Sequence, residues 1–180
     1  INTFGSLAMA GIGTYQKIEG FAFLPITSFM MALTTFVSQN RGAKEYERAR
    51  KGARFGLTCT VLLAEAIGLL IAIFAEPLMR CFNQNPQVIQ YGVNRAHCAT
   101  ILFFLLAYSH GVSAVLRGVG KSMVPMVVML VCWCFVRVTF LTTLNIMFHN
   151  ILFVYLIYPF TWTLSSIVFF IYYRKINWQN

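Results

Sequence analysis

The chain has 180 residues, of which 58% are hydrophobic and only 11% charged, and its formal net charge is +9. Soluble domains carry roughly 25% charged residues, so this sequence cannot clothe a soluble core in polar surface. It reads instead as an all-α, polytopic membrane helix bundle. Its basic residues gather at the ends of apolar runs, which points to lipid headgroups rather than nucleic acid. The lack of aspartate removes many carboxylate-based active sites and hard-metal cages.

Five apolar segments predict about five transmembrane helices, at 7–38, 55–79, 88–116, 124–147 and 152–173. Each has the ~17–25 residues needed to cross about 30 Å of hydrocarbon. The first and third exceed that length, so tilt, kinks or protruding ends are expected. Pro25 and Pro159 fall inside the first and last segments and predict kinks there. The turn-forming stretches CFNQNPQ, RGVGKSMVP and FHNI separate the later segments, which makes neighbouring helices antiparallel. The chain opens on Ile1 rather than Met and enters apolar helix at once, the pattern of a piece of a longer protein.

The link at 41–54, RGAKEYERARKGAR, is strongly basic, and Glu47 and Lys51 stand four apart in the favourable order. It is expected to be a short amphipathic helix on the cytoplasmic headgroups. If the five segments alternate, this link falls on the same side as Arg117, Lys121, Arg174 and Lys175. Arg80, Arg95 and His149 make a thinner basic supply on the other side. The bias puts the C-terminus in the cytoplasm. An external start to the first span would be explained by a helix preceding it.

Charges inside apolar helices cost about 2.5–3.5 kcal/mol on insertion scales and read as functional candidates. Lys17 and Glu19 lie about ten to twelve residues into the first segment, roughly 15–18 Å from its outer end. Being two apart, they face different sides and cannot satisfy each other. They are expected to line a hydrated cleft, with Phe23 and Pro25 beside them; the plainer alternative is structural pairing with other helices or a snorkelling lysine. Glu65 and Arg137 sit at similar depths in the second and fourth segments. An ion pair between them, a proton-cycling Glu65 and a silent protonated Glu65 are all open readings. His110 lies near Ser109 and Ser113, as a packed histidine would. The five cysteines show no paired spacing, and no metal-binding or nucleophile motif occurs. Catalysis, cofactors and metal sites are therefore not expected.

Several landmarks follow in one order: KIEGFAFLP, MALTTFVSQNRGA, YERARKGAR, AEPLMRCF, NPQVIQYG, VLRGVGKSMVP, VRVTF and YPFTW…IYYRK. Together they resemble the C-terminal lobe of the multidrug and toxic compound extrusion (MATE) family. The resemblance implies a partial lobe of a twelve-helix transporter, with Ile1 to Gly5 ending the helix before the first segment here. It matches Lys17, Glu19 and Pro25 to a KIE…P pattern. Gln39 and Asn40 match a GQNxGA pattern in which Ser38 replaces the first glycine. Arg117 and Gly118 match an LRG that closes a helix at a cytoplasmic turn, and Arg137 matches a family arginine.

The resemblance implies efflux of small organic cations in exchange for Na+ or H+ across a bacterial inner membrane. Membrane lipids and a missing N-terminal lobe would be the partners. The rivals are a lipid-linked oligosaccharide flippase, which would need a more cationic cleft, and a non-transporting membrane subunit.

Overall fold

The computed structural model describes residues 5–148 and 151–178. Within them the regular elements are helical: α1 (Ser6–Gly42), α2 (Tyr46–Ile73), α3 (Ala75–Arg80), α4 (Pro86–Thr100), α5 (Phe103–Gly118), α6 (Met123–Met129), a π-helical segment (Leu130–Val136), α7 (Arg137–Phe148) and α8 (Ile151–Arg174). Four runs are long and apolar enough to span a membrane: Ser6–Gly42, Tyr46–Ile73, Met123–Thr143 and Ile151–Arg174. The bent pair α4–α5 makes a fifth if it is taken as one span. The chain is thus an all-α membrane bundle. The expectations for His149 and Ile1 to Phe4 lie outside the described residues.

Two expectations are corrected and one is sharpened. In the segment 88–116, whose length predicted tilt, a kink or a protruding end, α4 and α5 meet at a 57° bend. No proline or glycine stands at the break, and Leu102 gives α5 no side-chain cap. The stabilising group comes from α2, where Glu65 Oε2 accepts the Phe104 backbone N–H at 3.0 Å. A carboxylate at this position satisfies an orphan donor and meets the positive end of the α5 dipole.

The link at 41–54 is not a helix of its own. α1 runs on to Gly42, a turn follows, and Tyr46 to Arg54 form the opening turns of α2. Nothing between Arg54 and Phe55 breaks a helix, so the basic stretch takes the axis of α2. Its Glu47–Lys51 pair does form, exposed, at 3.5 Å. Finally, Arg95 is not an exposed charge of the kind counted in the basic bias. It shares a buried face of α4 with Gly92, Ala96 and Ala99 and is only 1% exposed.

Residues Ala43–Glu45 and Val119–Ser122 turn the chain at one end of the bundle, and both turns end their helices in the same way. Glu45 N–H reaches the Asn40 carbonyl at 2.8 Å while Lys44 N–H reaches Arg41. Lys121 N–H reaches the Leu116 carbonyl at 2.8 Å while Gly120 N–H reaches Arg117. These are Schellman closures, with Lys44 (φ 61°) and Gly120 (φ 84°) in the left-handed position. The Arg41 guanidinium donates to the Val119 carbonyl and ties one turn to the other. Gly118 lets α5 lie against α1: a Cβ there would stand 2.8 Å from Val37 Cβ and 2.9 Å from the Thr34 carbonyl oxygen. Gln39, Asn40, Arg117 and Gly118 thus all belong to the closure of this end.

α5 runs through the middle of the bundle, packed against α1, α2 and α8. One apolar cluster joins Ile26, Leu33 and Val37 of α1 to Leu57, Val115 and Phe169 near the turns. A second joins Tyr15 and Ile18 to Ile71, Met79, Phe103 and Trp162 at the far end. Between α5 and α8 the contact is polar. Ser109 Oγ lies 2.9 Å from Ser165 Oγ and 2.8 Å from Ser166 Oγ, and Ser166 donates to the Leu105 carbonyl at 2.9 Å. Where lipid removes the hydrophobic drive between helices, such hydroxyl bonds and small-residue contacts hold them together.

Candidate functional site

The strongest candidate grows from one face of α1. Gln16, Glu19, Gly20 and Phe23 line an open hollow of about 260 Å³. Opposite them stand Leu106 of α5, Trp133 of the π segment, Arg137 at the start of α7, and Tyr158 and Trp162 of α8. The face follows from helical spacing: positions 16, 19, 20 and 23 share one side, and the apolar face carrying Tyr15, Ile18 and Ile26 turns into the core. The π segment is a wider turn inside an otherwise α-helical span. Such segments recur at functional sites, and here one carries Trp133 to the hollow and leads directly into Arg137.

Two arginines flank one ring. Arg95 Cζ lies 4.1 Å from the Tyr158 ring centroid and Arg137 Cζ lies 4.4 Å from it. Arg95 also donates to the Tyr155 carbonyl at 3.1 Å and stands 5.6 Å from the Tyr15 ring. Arg137 donates to Thr161 Oγ1 at 2.7 Å and lies 5.2 Å from the Trp133 ring, while its Nε is buried without a partner. Both cations act electrostatically on the Glu19 carboxylate, yet neither is within ion-pair distance of it. The hollow therefore holds one arginine and one carboxylate inside an aromatic wall, with a second arginine, Arg95, packed behind Tyr158.

Of the residues read as cleft-lining, Glu19 and Phe23 meet in this hollow, while Lys17 and Pro25 are exposed on another flank of α1. Glu65 and Arg137 do not pair: Glu65 holds the Phe104 N–H and Arg137 holds Thr161. Matched depth put them at one level, but they lie on helices that face different neighbours.

His110 stands between Phe23 and Trp133, with ring centroids 5.1 and 5.0 Å away, and its Nε2 is buried without a partner. It lines a second hollow of about 510 Å³ with Phe23, Thr27, Met30, Met31, Thr34, Thr35 and Arg117. Sequence reasoning missed Arg95, Trp133, Tyr158 and Trp162. For Arg95 the signal was present: an arginine in phase with Gly92, Ala96 and Ala99 belongs to the small-residue, buried face of its helix.

Comparison with known proteins comes to the same region of sequence space. A family model described as MatE matches residues 1–143. The probable multidrug resistance protein NorM of Thermotoga maritima is 29% identical over 124 residues, covering 69% of this chain and 27% of that protein. The probable multidrug resistance protein YoeA of Bacillus subtilis is 24% identical over 181 residues, covering 98% of this chain and 38% of that protein. An FAD transporter of Shewanella oneidensis is 26% identical over 84 residues, 47% of this chain and 19% of that protein. The chain thus spans no more than 38% of the length of any of these three.

Proposed function

Since the chain belongs to the MatE family, we propose that it works as one lobe of a two-lobe membrane exporter of small organic solutes, driven by exchange for H+ or Na+. The relatives' names, multidrug resistance proteins and an FAD transporter, support a solute-moving role rather than catalysis. The single observation that carries the reading is the open hollow in which Glu19 faces Arg137. A carboxylate bordering an opening, with no bond of its own among the described residues, can take up and release a small cation. An arginine among aromatic rings can hold an organic solute.

In this mechanism Glu19 is the coupling group and Arg137, Trp133 and Tyr158 grip the solute. The lobe rocks against its missing partner, so that the hollow opens to each side in turn. The Schellman turns tied by Arg41 to the Val119 carbonyl keep α1 and α5 moving as one body. The basic turn end faces the cytoplasm in this reading, in line with the positive-inside bias.

The test is exchange in liposomes carrying the two-lobe transporter that contains this chain. Glu19→Gln is expected to abolish solute accumulation driven by an imposed pH or sodium gradient, at unchanged protein content. Accumulation at the wild-type rate would remove Glu19 from the mechanism.

A further inference from the structure

Three hollows run in file along α1. The first and second share Phe23, and the second and third share Arg117. Their α1 linings, Glu19, Phe23, Thr27, Thr34 and Ser38, fall on one helical face. The charges along this file are unequal. Glu19 is the only acid in the three linings, whereas Arg137 stands in the first, Arg117 in the second, and Arg41 and Lys44 in the third. Arg95, packed behind Tyr158, adds positive charge without lining any of the three. Arginine keeps its proton in proteins, so the potential along the file is positive except beside Glu19.

The deep end adds a second requirement. Trp133, Tyr158, Trp162 and Phe23 present ring surface there, and the Arg137 guanidinium already lies over two of those rings. The buried Nε–H of Arg137 has no acceptor among the described residues. A flat ring would stack on this wall, and an anionic oxygen would meet the guanidinium in a charge-assisted bond. A flat cation would find the same wall but would pass three arginines, with one carboxylate to offset them.

Resting on the transport reading above, we infer that this half-cleft selects planar aromatic solutes that carry an anionic oxygen group. Arg137 is the contacting residue, and Arg117 and Arg41 line the approach from the basic end. The preference runs opposite to the cationic solutes implied by family resemblance.

Fluorescein and rhodamine 6G share a xanthene ring and differ in charge sign. Their binding to the purified two-lobe transporter that contains this chain, in neutral maltoside micelles, can be read by fluorescence anisotropy, with no gradient present. Fluorescein is expected to bind at least about tenfold more tightly. Arg137→Gln should weaken fluorescein by about tenfold and leave rhodamine 6G unchanged or tighter, whereas Glu19→Gln should tighten fluorescein and weaken rhodamine 6G. A purely structural Arg137 would move both dyes together and leave Glu19→Gln silent, and that pattern overturns the inference.

Equal or tighter binding of rhodamine 6G by the wild type, or binding of neither dye up to millimolar concentration, also overturns it. So does inorganic phosphate that displaces fluorescein as well as an aromatic carboxylate does, because the ring would then be idle. The two proposals fail separately. A fluorescein preference without driven exchange sinks the antiport reading alone, and exchange with a rhodamine preference sinks this inference alone.

Discussion

Glu65 and Glu19 are both carboxylates inside spanning helices, and the fold treats them in opposite ways. Glu65 reaches from α2 to the Phe104 N–H at 3.0 Å, where α5 begins after a 57° bend and has no cap of its own. Glu19 faces an open hollow from α1, with two arginines acting on it and, among the described residues, no hydrogen bond or ion pair holding it. The first carboxylate is committed to the backbone and holds a shape. The second has no such partner among the described residues, and the proposed mechanism uses it to bind something that comes and goes. A charge inside a membrane protein is thus not by itself a sign of function. What separates the two roles is whether its lone pairs already have a permanent partner.

The largest expected effect falls on the committed member. Glu65→Leu removes the acceptor at the break and leaves the Phe104 N–H without a partner in an apolar setting, a loss of about 2–3 kcal/mol. Thermal unfolding of the detergent-solubilised protein should show it. Glu65→Gln keeps an acceptor oxygen at nearly the same place and should cost about 1 kcal/mol or less. Equal losses in the two variants would mean that charge rather than the cap holds the bend, and the contrast with Glu19 would blur.

The arginines repeat the contrast at smaller amplitude. Arg95 is sealed, bonded to the Tyr155 carbonyl and stacked on Tyr158, whereas Arg137 borders the hollow with a free Nε. Arg95→Gln loses one charge-assisted bond and two cation–π contacts, to Tyr158 and Tyr15, about 2 kcal/mol together. The measurement is again thermal unfolding, now with a binding assay beside it. A large loss of solute affinity with little loss of stability would move Arg95 from the frame into the site.

The helical plan was legible because apolar segments long enough to span leave few alternatives, and the short punctuated links between them force neighbours to alternate. Gln39, Asn40, Arg117 and Gly118 stood out only through the family resemblance, and their meaning as paired Schellman closures needed the hydrogen bonds. The break at Thr100–Phe103 was illegible because its cause lies on another helix: no local breaker marks it, and Glu65 is remote in sequence. The link at 41–54 was misread for the converse reason. Its charge pattern suits a surface helix, but helix continuity into Phe55 overrides the pattern. Within the site, Glu19 announced itself as a charge out of place. Trp133, Tyr158 and Trp162 could not, because aromatic residues in an apolar span read as core or lipid contact until tertiary packing gathers them.

The smallest expected change in stability belongs to Glu19→Gln, and it bears most directly on the contrast with Glu65. The substitution removes the attraction of Arg95 and Arg137, which destabilises, and removes the cost of holding a carboxylate partly out of water, which stabilises. Gln is nearly isosteric, no hydrogen bond is lost among the described residues, and the hollow is open rather than sealed. The two terms should nearly cancel, leaving a shift within about 0.5 kcal/mol in thermal unfolding. A loss above about 2 kcal/mol would show that Glu19 is the counter-ion that lets two arginines stay inside the bundle. It would then be as structural as Glu65, and the proposed coupling role for it would fall.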